Sequence, residues 1–293
     1  MSKLCEGCVF SIGNPMLDFS AEVSSDFLAR HSLRPHDAIL GDDDNQNILE
    51  DLVASYDCEV TPGGAALNSI RYCQLLIGDS QKQACVFAGT TGTDHEAKTL
   101  LQYCQNENIN AQFYQVQHKP TAKSAVCITG VNRSLCAYLG AANFYDSEKH
   151  LKTDEIWTLV ENARIFYCTG FFLTVCPVAL FLLAEQAANT GKIFCFNLSA
   201  EFICKSFKEK ILQLLPLVDF LFGNEDEFRE FSVSQDDSTD NVKNDIKEIG
   251  KRVSNMAKAT KKKSPIVIIT RGPHPSLVFQ DGEILPRKSG KRS

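Results

Sequence analysis

No stretch of this sequence approaches the ~20 consecutive apolar residues needed to cross a bilayer, and residues 1–10 lack the basic-then-apolar order of a secretory leader. A cytoplasmic chain with no membrane partner is therefore expected. Net positive charge is lacking too, since 30 Lys and Arg stand against 36 Asp and Glu, for a formal charge of −6. Without a basic field to hold a phosphodiester backbone, no nucleic-acid partner is expected and small molecules are the favoured ligands. Two short basic runs, at 261–263 and near Lys291, read as solvated loop and tail charge or, functionally, as a nuclear address.

Missing motifs exclude as much. There is no G-x-x-x-x-G-K-[ST] loop, so any phosphoryl transfer must use another cradle. Gly89-Thr-Thr-Gly92 falls short of a dinucleotide fingerprint, and neither H-E-x-x-H nor G-x-S-x-G occurs. Dehydrogenase, metalloprotease and hydrolase chemistry thereby lose their usual support. Cysteine, by contrast, is plentiful at 12 residues. Most of these sit in apolar runs, as Cys127, Cys168 and Cys195 do, where a reduced thiol serves as a small hydrophobe. Cys5 and Cys8 have zinc-knuckle spacing, but no second pair follows to complete a site.

With 293 residues, 44% of them apolar, the chain can bury a sizeable core. From about residue 60 onward, short β-branched or aromatic runs alternate with amphipathic stretches, the pattern of repeated βα units on a mainly parallel sheet. Buried strands are predicted at 84–89, 165–169, 192–198, 219–223 and 265–270, and helices at 154–163, 177–190, 208–217 and 244–259. The expected class is doubly wound α/β. The N-terminal part differs: 9–23 and 37–41 read as strands separated by one short helix, 25–31, capped by Ser24 or Ser25. Runs 124–129 and 134–139 read as a hairpin around 130–133. These strands are expected to form a small sheet standing off the main one as a lid, drawn from parts of 9–42 and 120–142. The polar stretch 232–244 reads as a mobile surface loop rather than a linker, so 1–293 is expected to be a single domain.

Five places carry residue types suited to chemistry. Pro62-Gly63-Gly64 leads into a helical stretch, 65–77, with Asn68 in its first turns. Glycines let backbone approach a ligand, and a helix start offers unpaired N–H groups, although a plain tight turn explains the pair as simply. Gly13, Asn14 and Asp18 follow an apolar strand start, where an amide and a carboxylate can grip a vicinal diol or merely form an Asx turn. The strand at 219–223 turns abruptly polar, and Asn224 with Glu227 can hold a hydrated magnesium ion or cap the helix that follows. Thr270, Arg271 and Gly272 end another buried strand, where a nucleotide can lie across the strand tips, and Arg133 in the hairpin offers phosphate a planar fork.

In order and wording these segments resemble one family, the adenosine kinases among the ribokinase-like carbohydrate kinases. The resemblance rests on Gly13-Asn-Pro-Met-Leu-Asp-Phe-Ser20, Gly63-Gly-Ala-Ala-Leu-Asn-Ser69, Ile128-Thr-Gly-Val-Asn-Arg-Ser-Leu135, Gly170-Phe-Phe-Leu-Thr174, Asn197-Leu-Ser-Ala200 and Leu221-Phe-Gly-Asn-Glu225, and runs from about residue 9 to 280. It implies a ribokinase-like fold and ATP-dependent phosphorylation of the adenosine 5′-hydroxyl to AMP by a monomer, with ATP and Mg2+. It further implies that Asn14, Asp18, Gly63, Gly64 and Asn68 hold the ribose, while Leu40, Leu135, Ala137 and Phe171 make an apolar adenine slot. By the same resemblance Arg133 steadies the transferred phosphate, Asn224 and Glu227 organise magnesium, and Asn197, Asn224, Thr270 and Gly272 border ATP.

Two departures from the family pattern stand out. Ala65 and Ala66 replace polar residues, and Lys123-Ser124 replaces a smaller, less polar pair, both positions suited to tuning nucleoside preference. The family's D-T-N-G-A-G-D motif, which brings the anion hole and the general base, has no counterpart before Ser293, so no residue here is assigned as base. For a mature chain of this length, activity near background is expected, since losing a base costs ~10²–10⁴ in rate. Reduced solubility or a low melting temperature is expected as well, since apolar sheet surface is left uncovered. A nucleoside-binding protein without turnover and a ribokinase-like sugar kinase are the competing expectations.

Overall fold

A computed structural model of the chain describes residues 5–35, 38–41, 47–78, 83–233, 245–256 and 264–286. By its internal contacts the chain divides into two units, Met1–Ala163 and Arg164–Ser293.

In the first unit β1 (Val9–Ile12) is fully buried, but the apolar run that continues it is cut at Gly13-Asn14-Pro15. Proline has no N–H to give a ladder, and the chain leaves one sheet here to enter another as β2 (Met16–Glu22). The run predicted as one strand over 9–23 is therefore two. Helix α1 (Ser25–Arg30) starts where the Ser24 hydroxyl accepts the Phe27 N–H at 3.2 Å, which selects Ser24 over Ser25 as the cap. There follow β3 (Ala38–Leu40), α2 (Ile48–Ser55), β4 (Glu59–Gly63), α3 (Ala65–Ile77), β5 (Cys85–Thr91), α4 (His95–Asn106), β6 (Asn110–Gln115), β7 (Ala122–Thr129), β8 (Asn132–Tyr138) and α5 (Asp154–Asn162). Helix α2 escaped the sequence reading because it has only 8 residues, and α4 because its apolar spacing is diluted by charged and amide side chains.

Strands β1, β5 and β6 pair in parallel, and β5 is buried along its whole length, as a strand covered on both faces requires. A smaller sheet has the order β3-β8-β7-β2-β4, with β7 and β8 forming the expected hairpin about Gly130, whose φ of 59° suits glycine. Side chains alternate across a strand. One face of this sheet, through Ala21, Ala125, Cys127 and Cys136, packs on Phe27 and Leu28 of α1 and Ile48 and Leu52 of α2. The other face carries one transverse row in which Asp18 pairs with Ser124, Ser124 with Ala137, and Ala137 with Leu40.

The second unit repeats a strand-helix alternation through β9 (Ile165–Thr169), α6 (Pro177–Thr190), β10 (Ile193–Asn197), α7 (Glu201–Ser206), α8 (Lys208–Leu214), β11 (Phe220–Asn224), α9 (Glu225–Val233), α10 (Ile246–Ser254), β12 (Ile266–Arg271), β13 (His274–Gln280) and β14 (Glu283–Ile284). β9 to β12 are parallel, and β13 and β14 close the edge antiparallel. Their core holds the buried rings of Phe166, Phe194 and Phe196. The class is thus α/β, with a mainly parallel sheet flanked by helices and a smaller second sheet. Pro177 opens α6 and Gly191, at φ 70°, ends it. The helix predicted over 208–217 is α8 plus a tighter last turn, Leu215–Leu217, at Pro216. Ser232 belongs to α9 rather than to the predicted loop; the rest of that loop from 234, residues 244 and 257–259 of the predicted helix, Asp37 and both basic runs lie outside the described residues. Among the described residues no helix is long and apolar enough to cross a membrane.

Candidate functional site

In the first unit, Gly63 ends β4 and Gly64 precedes α3. Gly64 has φ 99°, where side chains rarely fall, and a Cβ there would lie 2.3 Å from the Asn14 carbonyl oxygen. A Cβ on Gly63 would come within 2.1 Å of Asp18 Oδ1. Both glycines are required because the start of α3 presses on the Asn14 to Asp18 segment. Gly64→Ala is expected to cost about 1–3 kcal/mol in backbone strain, read as a lower urea midpoint. An unchanged midpoint would mean that the contact relaxes freely.

Asp18 is the charged centre of this cluster. Its side chain is 6% exposed; Ser124 donates to Oδ1, and the Arg133 guanidinium reaches Oδ2 at 3.2 Å. Burial pushes its carboxyl above the usual carboxylate range, with Ser124 and Arg133 pulling the other way. Asn14, also buried, has an Oδ1 with no hydrogen-bond partner among the described residues. Buried acceptors are seldom left so.

Asn68, one turn into α3, sends its N–H to Gly64 O at 2.9 Å and accepts from Arg71 at 3.1 Å. Arg71 also donates to Pro62 O at 3.0 Å and pairs with both Glu107 oxygens, at 2.7 and 2.6 Å. This brace went unnoticed in the sequence; the signal was the i, i+3 spacing of Asn68 and Arg71, while Glu107 gave none. Leu40 of β3 pairs with Ala137 of β8, and Leu135, two residues before Ala137, packs against the cluster of Met16, Ala122, Ala137 and Ala142. Ala66 is buried against Gly13, where an added Cβ would lie 2.6 Å from that of Ala66, so position 13 has no room for a side chain. Ala65 is exposed, and Lys123 pairs with Glu96 of α4.

In the second unit the residues gather at carboxyl ends of parallel strands, where ligands of open α/β sheets bind. The register places Asn197 beside Thr169 and Asn224 beside Thr270. Asn197 Oδ1 accepts the Ser199 N–H at 2.9 Å, and Ser199 Oγ in turn accepts the Gly170 N–H at 2.9 Å. Phe171 sits in the one-turn helix after β9, its ring centroid 6.1 Å from that of Phe202. Thr270 Oγ1 donates to Gly223 O at 3.3 Å, and Gly272 turns at φ 52° in open space.

Asn224 and Glu227 form a capping box on α9: Glu227 N–H donates to Asn224 Oδ1 at 2.8 Å, and Asn224 N–H and Nδ2 donate to Glu227 at 3.0 and 2.9 Å. The capping explanation therefore holds for both residues. The Glu227 carboxylate accepts from Asn224 at both oxygens and also from the Ser199 backbone N–H, which leaves part of its acceptor capacity for the waters of a hydrated cation. Burial raises the Glu227 carboxyl above its ordinary range.

The residue pattern of the pfkB family of carbohydrate kinases matches residues 39–291. The chain is similar to adenosine kinase 2 of Arabidopsis thaliana, 36% identical over 279 residues that cover 95% of this chain and 79% of the relative. It is likewise similar to adenosine kinase of Saccharomyces cerevisiae, 38% identical over 278 residues, covering 91% and 76%. Among solved structures, Anopheles gambiae adenosine kinase in complex with P1,P4-di(adenosine-5) tetraphosphate superposes with a TM-score of 0.90 at 34% identity, covering 98% of this chain and 83% of that one.

Proposed function

The chain belongs to the pfkB family of carbohydrate kinases and, within it, to the adenosine kinases, and from that premise we propose that it transfers the γ-phosphate of ATP to the 5′-hydroxyl of adenosine. The observation that carries this reading is the pair of buried acceptors at the mouth of α3, the Asp18 carboxylate and the unpartnered Asn14 Oδ1. Two hydroxyl donors on neighbouring carbons, as in a ribose, suit such a pair, one for the unpartnered Asn14 Oδ1 and one for Asp18.

In this reading Asn14, Asp18 and Asn68 orient the ribose, with Gly63 and Gly64 letting the backbone close on it. The row of Leu40, Ala137 and Leu135 offers a flat base an apolar wall. Asn197, Asn224, Thr270 and Gly272 border ATP, and Arg133 stabilises charge on the transferred phosphoryl group. Magnesium, when bound, would neutralise the phosphate oxygens, and Asn224 and Glu227 would hold its waters. The ribose 5′-hydroxyl attacks in line, and the general base is not assigned to any residue of this sequence. We place this chemistry in a cytoplasmic monomer whose single domain uses its smaller sheet as a lid.

Because a ribose diol needs the ionised Asp18, adenosine affinity is expected to be full at neutral pH and to fall as the pH drops through the carboxyl's raised value, above its ordinary 3.8. Titration calorimetry between neutral and acid pH checks this, and a flat profile would remove Asp18 from the diol. The function itself is tested by AMP formation from adenosine and Mg-ATP with adenosine binding measured alongside. Competition by ribose but not adenosine would point to a sugar kinase instead.

A further inference from the structure

We propose that Arg133 is an exchange residue: it holds Asp18 in the nucleoside-free chain and gives it up to the ribose diol, so that nucleoside binding frees a cation for the phosphoryl group. The proposal rests on the adenosine reading above. It starts from how little of the Asp18 carboxylate is left for a ligand. Ser124, on the neighbouring strand, occupies Oδ1. Gly63 presses on the same group so closely that a Cβ would meet both oxygens, at 2.1 and 2.5 Å. Arg133 takes Oδ2, and the carboxylate as a whole is nearly enclosed.

A vicinal diol that binds here competes with these three for a nearly enclosed carboxylate. Gly63 is backbone, fixed by its pairing with Met16 across β2 and β4. Ser124 is buried in the centre of the smaller sheet. Arg133 alone stands on a long, 58% exposed side chain, and it touches Asp18 through a single nitrogen rather than a two-pronged fork. On its departure water receives the guanidinium, and a hydroxyl of the diol takes its place as hydrogen-bond donor to Asp18. The freed guanidinium is then available to the anionic group that the reaction brings. One side chain thereby links occupation of the nucleoside site to readiness for phosphate.

The test is calorimetric titration of adenosine, without nucleotide, into the unaltered chain, Arg133→Gln and Arg133→Lys. Removing a competing, largely exposed ion pair should tighten adenosine about 2–5-fold in Arg133→Gln, with Arg133→Lys closer to the unaltered chain. The same substitution should leave 2′,3′-dideoxyadenosine unaffected, because that nucleoside has no diol to contest Asp18. Raising KCl with the unaltered chain provides the same readout without a mutation: adenosine should bind more tightly as the pair is screened, and the dideoxy compound should not. Adenosine bound equally well or more weakly by Arg133→Gln, or no tightening with salt, overturns the exchange while the adenosine reading stands. An unaltered chain that binds no adenosine removes both.

Discussion

Asp18→Ala is expected to weaken adenosine binding about 10–150-fold, because a hydrogen bond to a charged group contributes about 1.5–3 kcal/mol. Titration calorimetry checks the loss, and a change under tenfold would place the ribose elsewhere. Asp18→Asn separates binding from stability. The native carboxyl titrates above its ordinary value, so its charge opposes folding at neutral pH, and that penalty disappears as the pH falls through the raised value. Replacing it with a neutral amide is therefore expected to hold or raise the melting temperature while weakening adenosine binding. The partner left behind, Arg133, is exposed and incurs little desolvation. Binding and melting temperature falling together would instead make Asp18 a structural residue.

Glu227→Gln is expected to raise the magnesium concentration needed for half-maximal ATP binding about 10–100-fold, the usual consequence of altering a residue that orients a metal's water shell. Glutamine serves as well as glutamate at the third position of a capping box, so α9 should survive and the melting temperature should move little. That contrast decides between the two roles. A large drop in melting temperature with an unchanged magnesium requirement would leave Glu227 with capping alone.

Much of the frame could be read from local pattern. The alternation from residue 60 onward foretold β5 and β9 to β12, and Pro177 marked the start of α6. The glycine pair marked its site because a backbone pressed against a carboxylate and a carbonyl admits no side chain. Asn224 with Glu227 was visible because a capping box is written within three residues.

What escaped depends on partners distant in the chain. The single strand expected over 9–23 became two because Pro15 breaks a ladder whose partners are β5 on one side and β7 on the other. Arg133 was read as a free fork for phosphate, yet it rests on Asp18, 115 residues earlier, and Ser124 reaches the same carboxylate across 106. Residue type and spacing thus determined the α/β class, the helix starts and the glycines at the turn into α3, since each follows from backbone sterics and periodicity over a few residues. Only the tertiary structure decided which groups share the Asp18 carboxylate and how Arg71 and Glu107 brace Asn68, because those pairings exist only once β2, β7 and β8 are in register and α3 is packed beside them.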